Sequence, residues 1–342
     1  MTGYERVSTV LKGGIPDRIP VMMHNFLLSA REAGFTMHEF RSSSDCMSQA
    51  MIQACRTYDL DGIFLDVDTA LLASACGADV KYPVDIAAVC EDKQPRNISQ
   101  IIEDIHDRDI RDCERVKIYL EAVNKLSLWC EKHDVYMRAN ADIGPFSLAC
   151  MLTGMNDFLM NLLDEDMEEE IYELIQNTYR ISSQMQHLCM EAGADGTSYG
   201  NSTEGCSVVS PEVFRKFSKP LEIRLAKELE KDGITTICHI CGQITPILED
   251  LKETGCPAYE IDAKTDLIAA KEASKGHFVL SGNLDPALLA SGSPEEVRIE
   301  TQKLCDMYRG EGGLILCSGC ALSPLTPKEN IHAVVETVKA FG

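Results

Sequence analysis

Between residues 234 and 316 four short apolar runs follow one another at tight spacing, each separated from the next by a helix-length amphipathic segment. The runs are Ile234 to Ile240, Ala258 to Asp262, Phe278 to Gly282 and Gly313 to Leu316. Hairpins need only a few linking residues, whereas parallel strands need a crossover of a dozen or more, so this spacing predicts a parallel sheet with helices between its strands. Four looser runs stand upstream, at 18–23, 62–66, 135–139 and 196–199, and the first carries Pro20 near its start, where a strand tolerates it. Eight runs in 342 residues favour a (β/α)8 TIM barrel over an open doubly wound sheet. No phosphate-cradling glycine motif follows the first run, which weakens the dinucleotide-binding alternative. The expected organisation is one barrel domain over 1–342, with N-terminal helices and an inserted segment at about 84–132. Ser293-Pro294-Glu295-Glu296 and Thr326-Pro327-Lys328-Glu329 read as helix starts with Ser and Thr at the N-cap. Residues 164–179 read as an acidic helix with a solvated face.

Composition narrows the function. The chain is 45% hydrophobic, enough to bury a large core, and carries a formal net charge of -22, whose field repels nucleic-acid phosphates and anionic membranes. The opening residues have no basic segment followed by an apolar one, and no apolar run reaches membrane-spanning length, so a cytoplasmic location is expected. There fifteen cysteines are expected to be reduced core thiols with a few ligands among them.

Barrel enzymes carry their chemistry at the C-terminal ends of the strands. His239 and Cys241 close the fifth run, Asp262 closes the sixth, Asn283 and Asp285 follow the seventh, and Cys317 and Cys320 follow the eighth. A lone His or Cys at a strand end is ordinarily a packed core residue. Together, one imidazole and two thiolates make a three-ligand zinc site with the fourth position open, the arrangement of catalytic zinc. Cys320, out on the loop, is the better ligand; Cys317 is still near the strand and expected to pack. Cys238 alternates to the opposite face.

His239-Ile240-Cys241-Gly242, Ser281-Gly282-Asn283-Leu284-Asp285-Pro286 and Ser318-Gly319-Cys320 with Pro324-Leu325-Thr326-Pro327 resemble successive signatures of the uroporphyrinogen decarboxylase superfamily. Within it they are similar to the zinc-dependent corrinoid methyltransferases, with their His-x-Cys and distant third Cys. Gly144-Pro145-Phe146, Gly193-Ala194-Asp195 and Ser210-Pro211-Glu212 also match, and the resemblance is dense from Gly144 onward. It implies a barrel that holds Zn2+ and moves a methyl group between a small substrate and the cobalt of a corrinoid (cobalamin). The decarboxylase branch holds tetrapyrrole carboxylates on an arginine-rich N-terminal loop; here no arginine follows Arg18 until Arg31, so that clamp is missing. Asp104-Ile105-His106 begins like a cobalt-binding Asp-x-His-x-x-Gly motif, but Asp109 replaces the glycine. The corrinoid is therefore expected on a separate protein.

The expected substrate is an aryl methyl ether undergoing O-demethylation. The alternatives are a thiol of the coenzyme M type, which accepts the methyl group, and a metal-free decarboxylase-like lyase. Glu204 is a candidate fourth ligand or base, set against the reading that it is a solvated loop carboxylate. Asp142 and Asp262 are candidates for supporting His239 or orienting substrate. Asn283 is expected to hold a substrate oxygen and His24 to face the mouth, while Asp285 reads as a helix N-cap.

Overall fold

The computed structural model describes residues 1–91 and 96–342. Nine strands occur among them: β1 (Gly62–Leu65), β2 (Val80–Lys81), β3 (Val89–Cys90), β4 (Tyr136–Ile143), β5 (Gly196–Gly200), β6 (Thr236–Ile240), β7 (Ala258–Ile261), β8 (Val279–Leu284) and β9 (Leu314–Ser318). Seven form one parallel sheet in the order β1-β4-β5-β6-β7-β8-β9, each strand beside its successor in the chain. Only β2 and β3 stand apart, as an antiparallel pair.

The first apolar run departs from expectation. It makes one isolated parallel bridge, Val21 to Leu316, instead of a strand. Leu316 donates its N–H to the Pro20 carbonyl at 2.8 Å and receives the Met22 N–H at 3.0 Å, while the Asp61 N–H reaches the Val21 carbonyl at 2.9 Å. Pro20 has no N–H to extend a ladder, which limits the pairing. The segment thus links the edge at β9 to the residue just before β1. Asp61 reinforces this junction: its carboxylate accepts from the Val21 N–H and from Arg6 and Arg18 at 2.6–3.0 Å.

Side chains alternate across each strand, so residues two apart share a face. Met22, Phe64, Tyr136, Ile237, Ala258, Val279 and Ile315 make one buried inner cluster, joined by Val7 and Val10 of the helix Gly3–Leu11. That helix has a Thr2–Glu5 capping box at its start and lays its apolar face over the N-terminal end of the sheet. A much larger cluster fills the space between the outer sheet face and the surrounding helices. Full burial of a Val, Leu, Ile or Phe stabilises by roughly 1.5–3 kcal/mol, so the two clusters dominate the fold's stability.

The expected inserted segment at 84–132 holds β3, the helix Ile98–Ile105 and the helix Glu114–His133, the last returning the chain to β4; its residues 92–95 lie outside the described residues. The acidic stretch becomes part of the helix Glu168–Glu191, which also buries Ile171, Leu174, Ile175 and Tyr179. Ser293 caps the helix Pro294–Met307 as expected, and Glu296 completes a capping box with it. The last helix differs: it runs Lys328–Phe341 with Pro327 at the N-cap and no side-chain cap, one position later than expected. No helix among the described residues is long and apolar enough to cross a membrane.

Candidate metal centre

Strand alternation builds this site. On β6 the inward face carries Ile237 into the inner cluster, His239 one step nearer the C-terminal end, and Cys241 just past the strand. Cys320 lies two residues beyond β9. The ligand atoms of His239, Cys241 and Cys320 all lie within 4.8 Å of one another, and among the described residues they are the one group of His, Cys, Asp or Glu so arranged. His239 Nε2 is 3.1 Å from Cys241 Sγ. Its Nδ1 is 3.1 Å from the Glu260 carbonyl oxygen, which can only accept, so Nδ1 carries the proton and Nε2 keeps its lone pair toward the sulfurs.

Close backbone approaches hold the loops together. A Cβ on Gly319 would stand 2.6 Å from the Ala263 nitrogen, so only glycine lets the Cys320 loop lie against the loop after β7. Gly205 likewise packs its Cα against the Cys241 carbonyl.

The two thiols differ in how readily they ionise. The Cys320 thiol is lowered to about 4, first by hydrogen bonding from Cys241 and then by His239, despite burial. Cys241 moves the other way, because Cys320 beside it and its own burial disfavour a second anion. Burial also opposes charge on His239, but Cys320 and Glu260 outweigh it. One imidazole nitrogen and two cysteine sulfurs gathered this closely are a chemically suitable donor set for Zn2+.

Beneath the three ligands is a network of charged groups buried inside the sheet. Arg138 of β4 and Glu260 of β7 are both fully buried and paired at 2.7 Å, with the guanidinium 3.7 Å above the Phe64 ring centre. Glu260 Oε1 also lies 3.5 Å from His239 Nδ1 and 3.4 Å from His24 Nδ1. Burial alone favours the neutral acid, but Arg138, His24 and His239 hold Glu260 well below the usual carboxylate range. His24 Nε2 is 2.7 Å from Asp66. Burial resists a charge there, yet Asp66 and Glu260 lift His24 to about 10.

Several expected site residues stand elsewhere. The His24 ring centre is 6.5 Å from that of His239, and both its nitrogens already face carboxylates. Asp262 accepts the Gly242 N–H at 2.9 Å and the Lys264 N–H at 3.0 Å, so it braces the turn after Cys241, and Glu260 takes the place beside His239 that Asp262 was expected to fill. Asp142, at φ +66°, accepts the Leu72 N–H at 2.6 Å, while its Oδ1 is buried with no hydrogen-bond partner. Burial and Asp68 push its carboxyl well up.

Glu204 is buried, against the solvated alternative, and is not in the three-ligand group. The Asn201 N–H bonds the His239 carbonyl at 2.6 Å and the Asn201 side chain donates to Glu222 at 2.7 Å, which turns the loop outward to the helix Lys219–Lys231. There burial and Glu222 push Glu204 well up. Asn283 pairs in register with Cys317 and borders a cleft of about 680 Å³ shared with Asp285, Glu296 and Lys303. Asp285 caps a helix by accepting the Ala287 N–H at 2.8 Å. Cys317 is fully buried, and Cys238 lies on the outer face, 3.6 Å from Asn201 Nδ2.

Glu260 and Arg138 were missed in the sequence. Their signal was present: each is a charged residue at an inward position of a buried strand, and such a charge requires a partner.

The sequence profile of the uroporphyrinogen decarboxylase family matches residues 2–341. The chain belongs to this family. It is 28% identical to the methylcobamide:CoM methyltransferase MtbA of Methanosarcina mazei over 280 residues, covering 77% of this chain and 79% of that protein. A uroporphyrinogen decarboxylase of Coxiella burnetii is 25% identical, with 95% and 92% covered. Family membership thus admits both activities. A solved structure, a methyltransferase from Methanosarcina mazei, superposes with a TM-score of 0.89 at 22% identity over 100% of this chain and 99% of that one, which speaks for the shared fold.

Proposed function

We propose that this chain is a zinc-dependent methyltransferase that moves a methyl group between the corrinoid cobalt of a partner protein and the sulfur of a small thiol. The observation that carries the reading is the trio His239, Cys241 and Cys320, gathered at the C-terminal end of the sheet with their three donor atoms within 4.8 Å. The relative MtbA, named a methylcobamide:CoM methyltransferase, supports the corrinoid and the thiol of coenzyme M type over the aryl methyl ether that the sequence favoured. A tetrapyrrole decarboxylase fits less well, since the segment after Val21 offers no guanidinium clamp before Arg31.

His239, Cys241 and Cys320 would hold Zn2+, which when bound supplies Lewis acidity that favours a thiolate at neutral pH. The rest of the chain prepares the site. The Glu260 carbonyl fixes the His239 tautomer, Asp262 holds the Cys241-Gly242 turn, and Gly319 lets the third ligand approach. Asp142, with one buried carboxyl oxygen unpartnered, and Asn283 are assigned to orienting substrate. Glu204 we assign to shaping the loop beside Cys241. His106 is mostly exposed on its helix end and Asp109 is engaged with Arg111, so we place the corrinoid on the partner.

We read the architecture as a single (β/α)8 barrel over 1–342, with the Val21 segment as its eighth staves' remnant; the hydrogen bonds to Leu316 and Asp61 support closure there. None of the fifteen cysteines, all of them described residues, forms a disulfide, which suits a reducing cytoplasm.

The test combines metal analysis with demethylation of free methylcobalamin in the presence of 2-mercaptoethanesulfonate. One zinc per chain and thiol methylation, both lost in Cys241→Ala, are expected. A metal-free active protein, full activity in Cys241→Ala, or carbon dioxide release from uroporphyrinogen would overturn the reading.

A further inference from the structure

The interior below the ligands holds more charge than a three-ligand site requires. We propose that the Glu260 carboxylate, anchored by Arg138, is a positioning residue that sets both the orientation and the donor strength of His239 as a metal ligand. The inference rests on the metal-site reading above and concerns what lies beneath it.

The tautomer of His239 needs only a carbonyl, and the Glu260 main chain already provides one at 3.1 Å. The side chain of the same residue nevertheless folds back, so that Oε1 lies 3.5 Å from His239 Nδ1 and 3.4 Å from His24 Nδ1. Oε2 meets Arg138 at 2.7 Å. One buried carboxylate therefore lies within ion-pair distance, 2.7–3.5 Å, of nitrogens on three separate segments, with no hydrogen bond to its oxygens from any of them. Each contact removes a rotational freedom: Arg138 is itself fixed by complete burial and by Phe64 under its guanidinium. An anion facing the N–H of a ligating imidazole makes the opposite nitrogen a stronger donor, and outer partners of this kind typically contribute about 10- to 100-fold in metal affinity. A purely structural ion pair would serve equally well anywhere along the strands. This one sits at the register position on β7 opposite His239 on β6.

The design also separates two roles. Arg138 does not approach the ligands by any of the ion pairs it makes; its part is to hold Glu260. Removing Glu260 alone strands a buried guanidinium, which is expected to destabilise the whole chain. Removing both charges relieves that and leaves only the loss at His239.

The experiment measures zinc affinity by chelator competition and the ligand-field absorption of the cobalt(II)-substituted protein, alongside thermal unfolding. Glu260→Gln is expected to bind zinc about 10- to 100-fold more weakly and to unfold at lower temperature. The double variant Arg138→Met with Glu260→Gln is expected to recover unfolding temperature but not zinc affinity, and its cobalt(II) spectrum should stay shifted from the wild type. Glu260→Asp, the mildest change, keeps the charge and should fall between. A double variant that binds zinc as the wild type does, or a Glu260→Asp protein that folds and matches wild-type affinity and spectrum while Glu260→Gln does too, would overturn the proposal. Wild-type protein that binds zinc but transfers no methyl group would defeat the functional reading and leave this one standing.

Discussion

Cys317 and Cys320 differ by three positions and by almost everything else. Cys317 is on β9, fully buried, with burial pushing its thiol up; Cys320 is on the loop with its thiol lowered to about 4 beside Cys241 and His239. Cys320→Ala is therefore expected to abolish stoichiometric zinc. Cys317→Ala should retain one zinc per chain and lose about 1 kcal/mol of stability, the cost of a small cavity. Metal analysis and urea unfolding of the two variants check this pair. The distinction was legible in the sequence because it follows from distance along the chain past the strand end. What was not legible is how far a carboxylate reaches back. Asp262, in phase with His239 at a strand end, looked like its partner, yet it turns to the Gly242 N–H, and the carboxylate two residues earlier comes to His239 instead.

At the scale of elements, the loops decide which strand ends meet. Gly319→Ala would place a methyl carbon 2.6 Å from the Ala263 nitrogen and must push the Cys320 loop off the loop after β7. Zinc affinity is expected to fall about tenfold or more, read by chelator competition, and because Gly319 is buried the unfolding temperature should fall with it. Glu204 shows why loop direction escapes a sequence reading. Four residues past β5 it is equally placed to turn over the mouth or outward, and the choice is made by Asn201, whose side chain is drawn to Glu222 on the helix Lys219–Lys231. The outcome is a buried acid pair with a pH signature. Burial pushes Glu222 from 4.5 up to about 6, even though Tyr199 donates to it at 2.5 Å and Asn201 at 2.7 Å. A carboxyl whose folded pKa is raised binds more protons in the folded state across the window between the two values. Its contribution to stability is therefore full below about 4.5 and declines as pH rises to about 6. Glu222→Gln removes the decline. Urea unfolding at pH 4.5 and pH 7 should show the stability difference moving in favour of the variant by about 2 kcal/mol as pH rises. A difference that is constant with pH would show that Glu222 is not the titrating group.

For the whole molecule, the apolar runs announced their strands wherever local periodicity and tertiary burial agreed, which they do at β1 and from β4 to β9. They failed at residues 18–23, where the run is apolar enough to be buried but Pro20 removes a donor, leaving one bridge at Val21 where a full strand was expected. The same comparison bears on what the metal does for the fold. The inner cluster under the helix Gly3–Leu11 and the outer cluster beneath the helices include neither His239, Cys241 nor Cys320. A structural zinc would be the core of a small fold that collapses without it; here the core is complete before the metal enters. Chelation should leave a cooperatively folded protein with its helical circular dichroism intact. It should still lower the unfolding temperature, since a ligand present at about 1,000 times its Kd stabilises by roughly 4 kcal/mol. Spread over a 342-residue chain with an unfolding entropy of about 2.1 cal/mol/K per residue, that corresponds to a fall of about 6 °C, restored by adding zinc. A chain that unfolds at 25 °C on chelation would make the metal a staple and the trio a structural site. A fall of several degrees with retained cooperativity is what a metal bound at the rim of a finished core requires.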